Sequence, residues 1–319
     1  MNWREIWFRI WSLQALQFII EKQHFMRKLN VIVLSAAFIV AMFGCNNSSK
    51  KEMEGFKYDA AQKKKDIEVT KSLIYLFPAP GEILERFQEA DLSYIEGIIH
   101  DPSLVDQYLT TRDKALNLGV YLTDLAYTSL FTRSNEAADY MNAIQALITD
   151  LNISTATFES LIGRAKANLG NTDSMTVISN EVFFNTVEYL ESSGRENTIA
   201  IISSGAYVES MYLALHAVED YDADDPIIEQ IAELKYPMDN LMSHIETVSD
   251  DPNVQSIVEY INDLNAIFET LEEEVSEAKK DGPGVISFSG GSAPDLTEDN
   301  FDDIKSTVES VREVIVGVK

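Results

Sequence analysis

The sequence predicts an all-α fold, a multi-helix bundle of about ten antiparallel helices with no significant β-sheet. Three observations lead there. Beyond residue 67, apolar residues recur at steps of three, four and seven, the period that lays them along one face of a helix. One helix-start signal recurs at Asp101-Pro102, Asp225-Pro226 and Asp251-Pro252, where Asp can cap the first turn and Pro suits its first position. No run alternates apolar and polar residues between hairpin turns, so strands lack their signature. With 319 residues, 45% of them hydrophobic, the chain can bury a sizeable core, and its single cysteine leaves no intrachain disulfide to form.

Taken in order, the first elements read as an address rather than as part of the fold. Trp3, Trp7 and Trp11, all the tryptophans of the chain, share one helical face within residues 1–25. A signal peptide starts close to its charges, as Met26 does with Arg27 and Lys28, so residues 1–25 are expected to be a mis-assigned extension. The alternative is a short interfacial helix. Val31 to Phe43 form an apolar run short of the about 20 residues that span a bilayer, and Gly44-Cys45 close it. Residues 26–44 therefore read as a signal peptide, and the Lys-rich, polar residues 45–66 as a flexible tether.

Cys directly after Gly44 resembles the bacterial lipobox, with Phe43 where Ala or Ser is usual and Met42 where Leu is usual. The resemblance implies lipidation of Cys45, cleavage before it and anchoring in a lipid bilayer by several acyl chains, which hold where a single chain does not. Asn46 stands where an Asp would retain a lipoprotein at the inner membrane of enteric bacteria, so the outer membrane is expected, with its face open.

The acidic domain at 67–319 follows, with one predicted helix, 59–76, beginning in the tether. The others are 81–99, 102–131, 135–151, 155–169, 173–192, 196–220, 226–249, 252–280 and 297–317. Asn168-Leu169-Gly170 and Ser193-Gly194 supply stops. A Gly/Ser/Pro loop at 282–294 interrupts the pattern, and Val285 to Phe288 within it suit a short extended segment or an apolar plug. Connections of two to six residues favour antiparallel neighbours.

Charge narrows the partners. Residues 1–70 hold 11 Lys+Arg against 7 Asp+Glu, a net of +4, and residues 71–319 hold 14 against 45, a net of −31, within a total of −27. So acidic a body repels phosphate backbones and anionic head groups, which argues against nucleic acid as a partner and against a membrane-hugging surface. There is no glycine-rich phosphate loop and no nucleophile elbow, and lipid on Cys45 would exclude thiol catalysis; no catalytic residue emerges.

Two constellations remain. In the first, Asn117, Tyr121, Asp124 and, nearly, Tyr127 step along one helical face, and Glu209 and Tyr212 form a second polar set among apolar neighbours. They read either as a buried network fixing helix register or as a polar patch lining a pocket between helices. In the second, His216 and Glu219 stand one turn apart on one face of the expected helix 196–220, and Asp220, Asp222, Asp224 and Asp225 follow. That set could hold a divalent metal, although Asp225 occupies the place where a calcium loop needs Gly and Ile231 the place of its closing Glu. An acidic inter-helix loop ending in a cap is the plainer reading.

Ala214 to Glu219 resemble the Gly-x-His-x-x-Glu motif of imelysin-like proteins, with Ala214 in place of Gly. Phe77-Pro78-Ala79-Pro80 with Glu82-Ile83, then Ala115 to Tyr127, Asn168 to Ser174 and Gly205 to Leu213 resemble an uncharacterised family of Bacteroidota lipoproteins over about residues 70 to 220. Tyr207 stands where that family has Trp. The second resemblance implies an exported lipoprotein and no particular activity. The expectation is a membrane-anchored cell-envelope lipoprotein that binds an unknown protein or small-molecule ligand without catalysis and without a cofactor. The alternative is a metal-binding imelysin-like envelope protein using His216, Glu219 and the Asp220–Asp225 cluster.

Overall fold

The computed structural model describes residues 77–153, 155–272, 279–280, 286–287 and 294–317. Cys45, the signal peptide, the tether, the predicted helix 59–76 and most of the Gly/Ser/Pro loop lie outside these residues. The described part belongs to one compact unit and is all-α.

Helix α1, Pro80–Glu89, opens with Pro at its first position, and the Ala79 N–H donates to the Glu82 carboxylate at 2.8 Å, satisfying a first-turn donor. The expected helix 81–99 ends ten residues early. Asp91 adopts a left-handed φ of 69°, and the Leu92 N–H returns to the Phe87 carbonyl at 2.8 Å, closing the terminus without glycine. The Asp101 cap is real, its side chain accepting from the Ser103 N–H at 2.8 Å, but it opens a 3-10 turn, Pro102–Gln107, rather than a long helix. The expected helix 102–131 thus splits. The Tyr108 ring is drawn into the interior at 7% exposure, which turns the chain at Tyr108 to Thr110 and leaves Leu109 84% exposed. Thr110 then caps α2, Thr111–Leu130, accepting from the Asp113 N–H at 3.0 Å.

Helices α3, Ser134–Asp150, α4, Thr155–Asn168, and α5, Thr172–Ser192, follow the expected pattern, with Asn171 capping α5. Helix α6, Glu196–Ala217, stops at Ala217, not at 220, because Val218 turns extended and buries its side chain at 5% exposure. The expected helix 226–249 is two, α7, Pro226–Glu233, and α8, Lys235–Thr247. Pro237 has no N–H to return to the Glu233 carbonyl, so the ladder breaks there. Helix α9, Pro252–Phe268, is capped by Asp251 and ends well before 280. Helix α10, Glu298–Val316, is capped by Thr297. The extended pairing among the described residues is small. Lys279–Lys280 (β1) runs antiparallel to Ile286–Ser287 (β2), within the stretch that suited an extended segment, and a single bridge joins Glu272 to Asp295.

Two helices form the centre. On α2 every residue from Ala115 to Leu130 is buried, and α6 is buried from Thr198 to Leu215 except at Tyr212. By length and composition α6 could cross a membrane, but its apolar window is 94% buried inside the bundle, where it serves as a core helix. The two pack backbone to backbone. A Cβ on Gly119 would stand 2.1 Å from the Ile202 carbonyl oxygen, and one on Gly205 would stand 2.1 Å from that of Leu116. Around this pair, α3 and α5 cover α2, while α8, α9 and α10 cover α6.

Candidate functional site

The close approach of α2 to α6 brings Asp124 and Glu209 together in the core, both with no solvent exposure. One cation serves them. Arg312 of α10 grips Glu209 with two bonds, Nε to Oε2 at 2.6 Å and Nη2 to Oε1 at 2.8 Å, a planar fork on a carboxylate. Its guanidinium lies 3.9 Å from the Tyr212 ring centroid and also reaches the Ile98 carbonyl at 3.5 Å. Burial works against the Arg312 charge, but the attraction of Glu209 outweighs it and raises the pKa.

Two buried carboxyls facing one guanidinium cannot both keep their charge. Burial, then the neighbouring Glu209, holds the Asp124 carboxyl well above the usual carboxylate range, against a weaker pull from Arg312. Burial and Glu209 together thus push Asp124 toward its neutral form. Its Oδ2 accepts from the His100 N–H at 3.2 Å, whereas Oδ1 accepts from no donor. A proton on Asp124 would relieve the repulsion from Glu209 and could also give the unpartnered Oδ1 a hydrogen to donate.

His100 anchors a chain of hydroxyls above this pair. Its Nε2 lies 2.6 Å from the Tyr108 hydroxyl, which lies 3.3 Å from that of Tyr121, and Tyr121 donates to the Asp101 carbonyl at 3.0 Å. Tyr121 spends its only hydrogen on Asp101, so all three bonds form only if Tyr108 donates to Tyr121 and His100 Nε2–H donates to Tyr108. The Tyr140 hydroxyl donates to the His100 carbonyl at 2.5 Å. Burial, with Arg312 adding to it, lowers the His100 pKa to about 4 and keeps the ring neutral. Burial likewise pushes Tyr108 up to about 12 and Tyr121 higher still, so these phenols stay protonated.

The six polar residues singled out in the sequence are thus distributed over three tasks. Tyr121, Asp124 and Glu209 join the sealed cluster, and Tyr212 covers Arg312 at its edge. Asn117 donates to the Asp113 and Ile315 carbonyls, both at 2.9 Å, and fastens the end of α10. Tyr127 donates to the Ser93 carbonyl at 3.1 Å and accepts from the Ile95 N–H at 2.8 Å, pinning the segment after α1. Asn117, Tyr121, Asp124, Tyr127 and Glu209 are wholly buried, so they form an interior network rather than the wall of an open cleft. His100, Tyr108, Tyr140 and Arg312 were missed. Arg312 carried a signal: Val308, Val311 and Ile315 are the buried stripe of α10, and Arg312 is one turn from Val308 on its margin.

The metal reading needed His216 and Glu219 on one helical face, and the structure corrects this. Helix α6 ends at Ala217, and Glu219, Asp220, Asp222 and Asp224 lie exposed beyond it. His216 turns instead to its own helix and to α10: Nδ1–H donates to the Tyr212 carbonyl at 2.8 Å, and Nε2 lies 3.2 Å from Glu309. Asp222 accepts from the Asp224 N–H at 3.1 Å, and Asp225 caps α7 by accepting from Ile227 at 2.9 Å. Among the described residues no group of three or more His, Cys, Asp or Glu side chains is placed to hold a metal ion.

Concave surface lies elsewhere: a groove of about 650 Å³ separates α8 from α9, lined by Met242, Val258, Asn262 and Asn265 among others. Between α1 and the α7–α8 bend runs a groove of about 610 Å³, floored by Ile83, Phe87, Leu234 and Pro237 and rimmed by Glu82, Glu85, Arg86, Glu89 and Glu233. Pro78, Ile83 and Pro237 also line a narrow apolar slot of about 20 Å³ that runs inward to Phe183, Ser203 and Leu241. No family model, curated protein or solved structure matches the chain.

Proposed function

We propose that this protein is a lipid-anchored cell-envelope module that binds a ligand or partner protein through the groove between α1 and the α7–α8 bend, without catalysis. One observation carries the choice of surface. The acid-rich cluster, where chemistry would be sought, is buried, whereas the groove is open, lies within the about 300–1,000 Å³ of ligand sites and, unlike the groove between α8 and α9, shares Pro78, Ile83 and Pro237 with an apolar slot leading inward. The lipobox-like Met42-Phe43-Gly44-Cys45 supports the anchor, the likeness to Bacteroidota lipoproteins supports export to the envelope, and Asn46 after the cysteine supports the outer membrane. In this reading lipid on Cys45 and the polar stretch after it hold the acidic body off a surface that repels it.

The reading has two tests. Mass spectrometry of the membrane fraction should find Cys45 acylated, and an unmodified Cys45 would remove the anchor. Asn240 is exposed on the groove wall, so Asn240→Trp obstructs the groove without touching the core. A molecule that co-purifies with the wild type should be lost from this variant, and equal retention would move the binding surface elsewhere.

A further inference from the structure

We infer that the α1/α7–α8 groove docks a basic peptide segment that sets a branched aliphatic side chain between lysines or arginines. The inference rests on the binding reading above and adds the chemistry of the partner. Two independent features converge. The floor is apolar and leads into the slot, which suits the tip of one aliphatic side chain. The rim is acidic beyond what it neutralises. Arg86 is its one cation and stands 3.6 Å from Glu233, and Glu82 is spent on the start of α1. Glu85 and Glu89 are exposed and face solvent without an ion pair among the described contacts. Burial, then the charges of Glu82 and Glu89, raises the Glu85 pKa, which marks a local excess of negative charge that a cation would relieve. Tyr236, 46% exposed on the same rim, offers a ring to a Lys or Arg.

An acidic rim over an apolar slot matches a cationic peptide carrying one aliphatic side chain, and it matches neither a nucleic acid nor an anionic lipid.

The test is fluorescence anisotropy with the full chain and three labelled peptides, KKLKK, KKSKK and SSLSS. KKLKK should bind saturably, with both others about tenfold weaker or more, as expected for loss of a buried aliphatic side chain or of the ion pairs. Glu85→Gln/Glu89→Gln should weaken KKLKK by about two- to thirtyfold. Asp302→Asn/Asp303→Asn removes two exposed acids from α10 that do not line the groove, and should leave the affinity unchanged. Equal loss in both variants would reduce the effect to attraction by the whole acidic body and overturn the inference. SSLSS binding as tightly as KKLKK would overturn the cationic partner while leaving the groove as a binding surface. Absence of saturable binding by all three would overturn the inference, with the Asn240→Trp comparison still judging the broader reading.

Discussion

The Asp124 cluster and the groove beside α1 are built from the same side chains, carboxyl groups gathered around one arginine, and they differ in their solvent. In the groove, water screens Glu82, Glu85, Glu89 and Glu233, so the rim keeps an unbalanced charge and Arg86 holds Glu233 only at 3.6 Å. In the core, burial removes that screening. There Arg312 meets Glu209 at 2.6 and 2.8 Å, and Asp124 is pushed toward its neutral form. The same composition makes a rigid lock in one place and an unsatisfied surface in the other.

The comparison is most severely strained by Arg312→Met. It strands Glu209 in the core without its cation and should destabilise the fold by about 3–5 kcal/mol in urea denaturation. A loss below about 1 kcal/mol would mean that Glu209 is not the charged partner.

Asp124→Asn probes the shared proton. The native Asp124 pKa is raised above the unfolded value, so its contribution is fully present below about pH 4 and declines as pH rises toward the native pKa. Wild-type stability should therefore fall relative to Asp124→Asn as pH rises from about 4 to 8, at up to about 1.4 kcal/mol per pH unit. Parallel stability curves for the two proteins would place the proton elsewhere.

Asn117→Ala removes the donor to the Ile315 carbonyl and should cost about 1–2 kcal/mol, with faster amide hydrogen exchange at the end of α10. Uniform exchange would show that α10 is held by Arg312 alone. The smallest effect belongs to the groove. Arg86→Ala should change stability by less than about 0.5 kcal/mol at any salt concentration, since its side chain is 69% exposed.

Much of this contrast was legible in the chain. The 3.6-residue period reported the helices, and Asp225 and Asp251 reported caps because a cap needs only its own next three residues, whereas the Asn171 cap of α5 was not anticipated. The step from Asn117 through Tyr121 to Asp124 correctly placed polar groups on one face of a buried helix. Pro237 announced the break between α7 and α8, which the apolar period had bridged. Other features had no local signal. Tyr108 interrupts the 102–131 pattern because its hydroxyl is needed beside His100, and Val218 ends α6 because the core takes its side chain. Both are decided by residues distant in the sequence.

What the sequence determined by itself is the set of choices made within one turn, helix period and caps, together with the concentration of acid beyond residue 70. Tertiary structure alone decided which acids meet. Asp124, Glu209 and Arg312 come from three helices and span 188 positions, and their protonation follows from sharing a buried interior that no local pattern encodes. Electrostatics in a low-dielectric core depends on distance in space, whereas helix propensity and capping depend on distance along the chain.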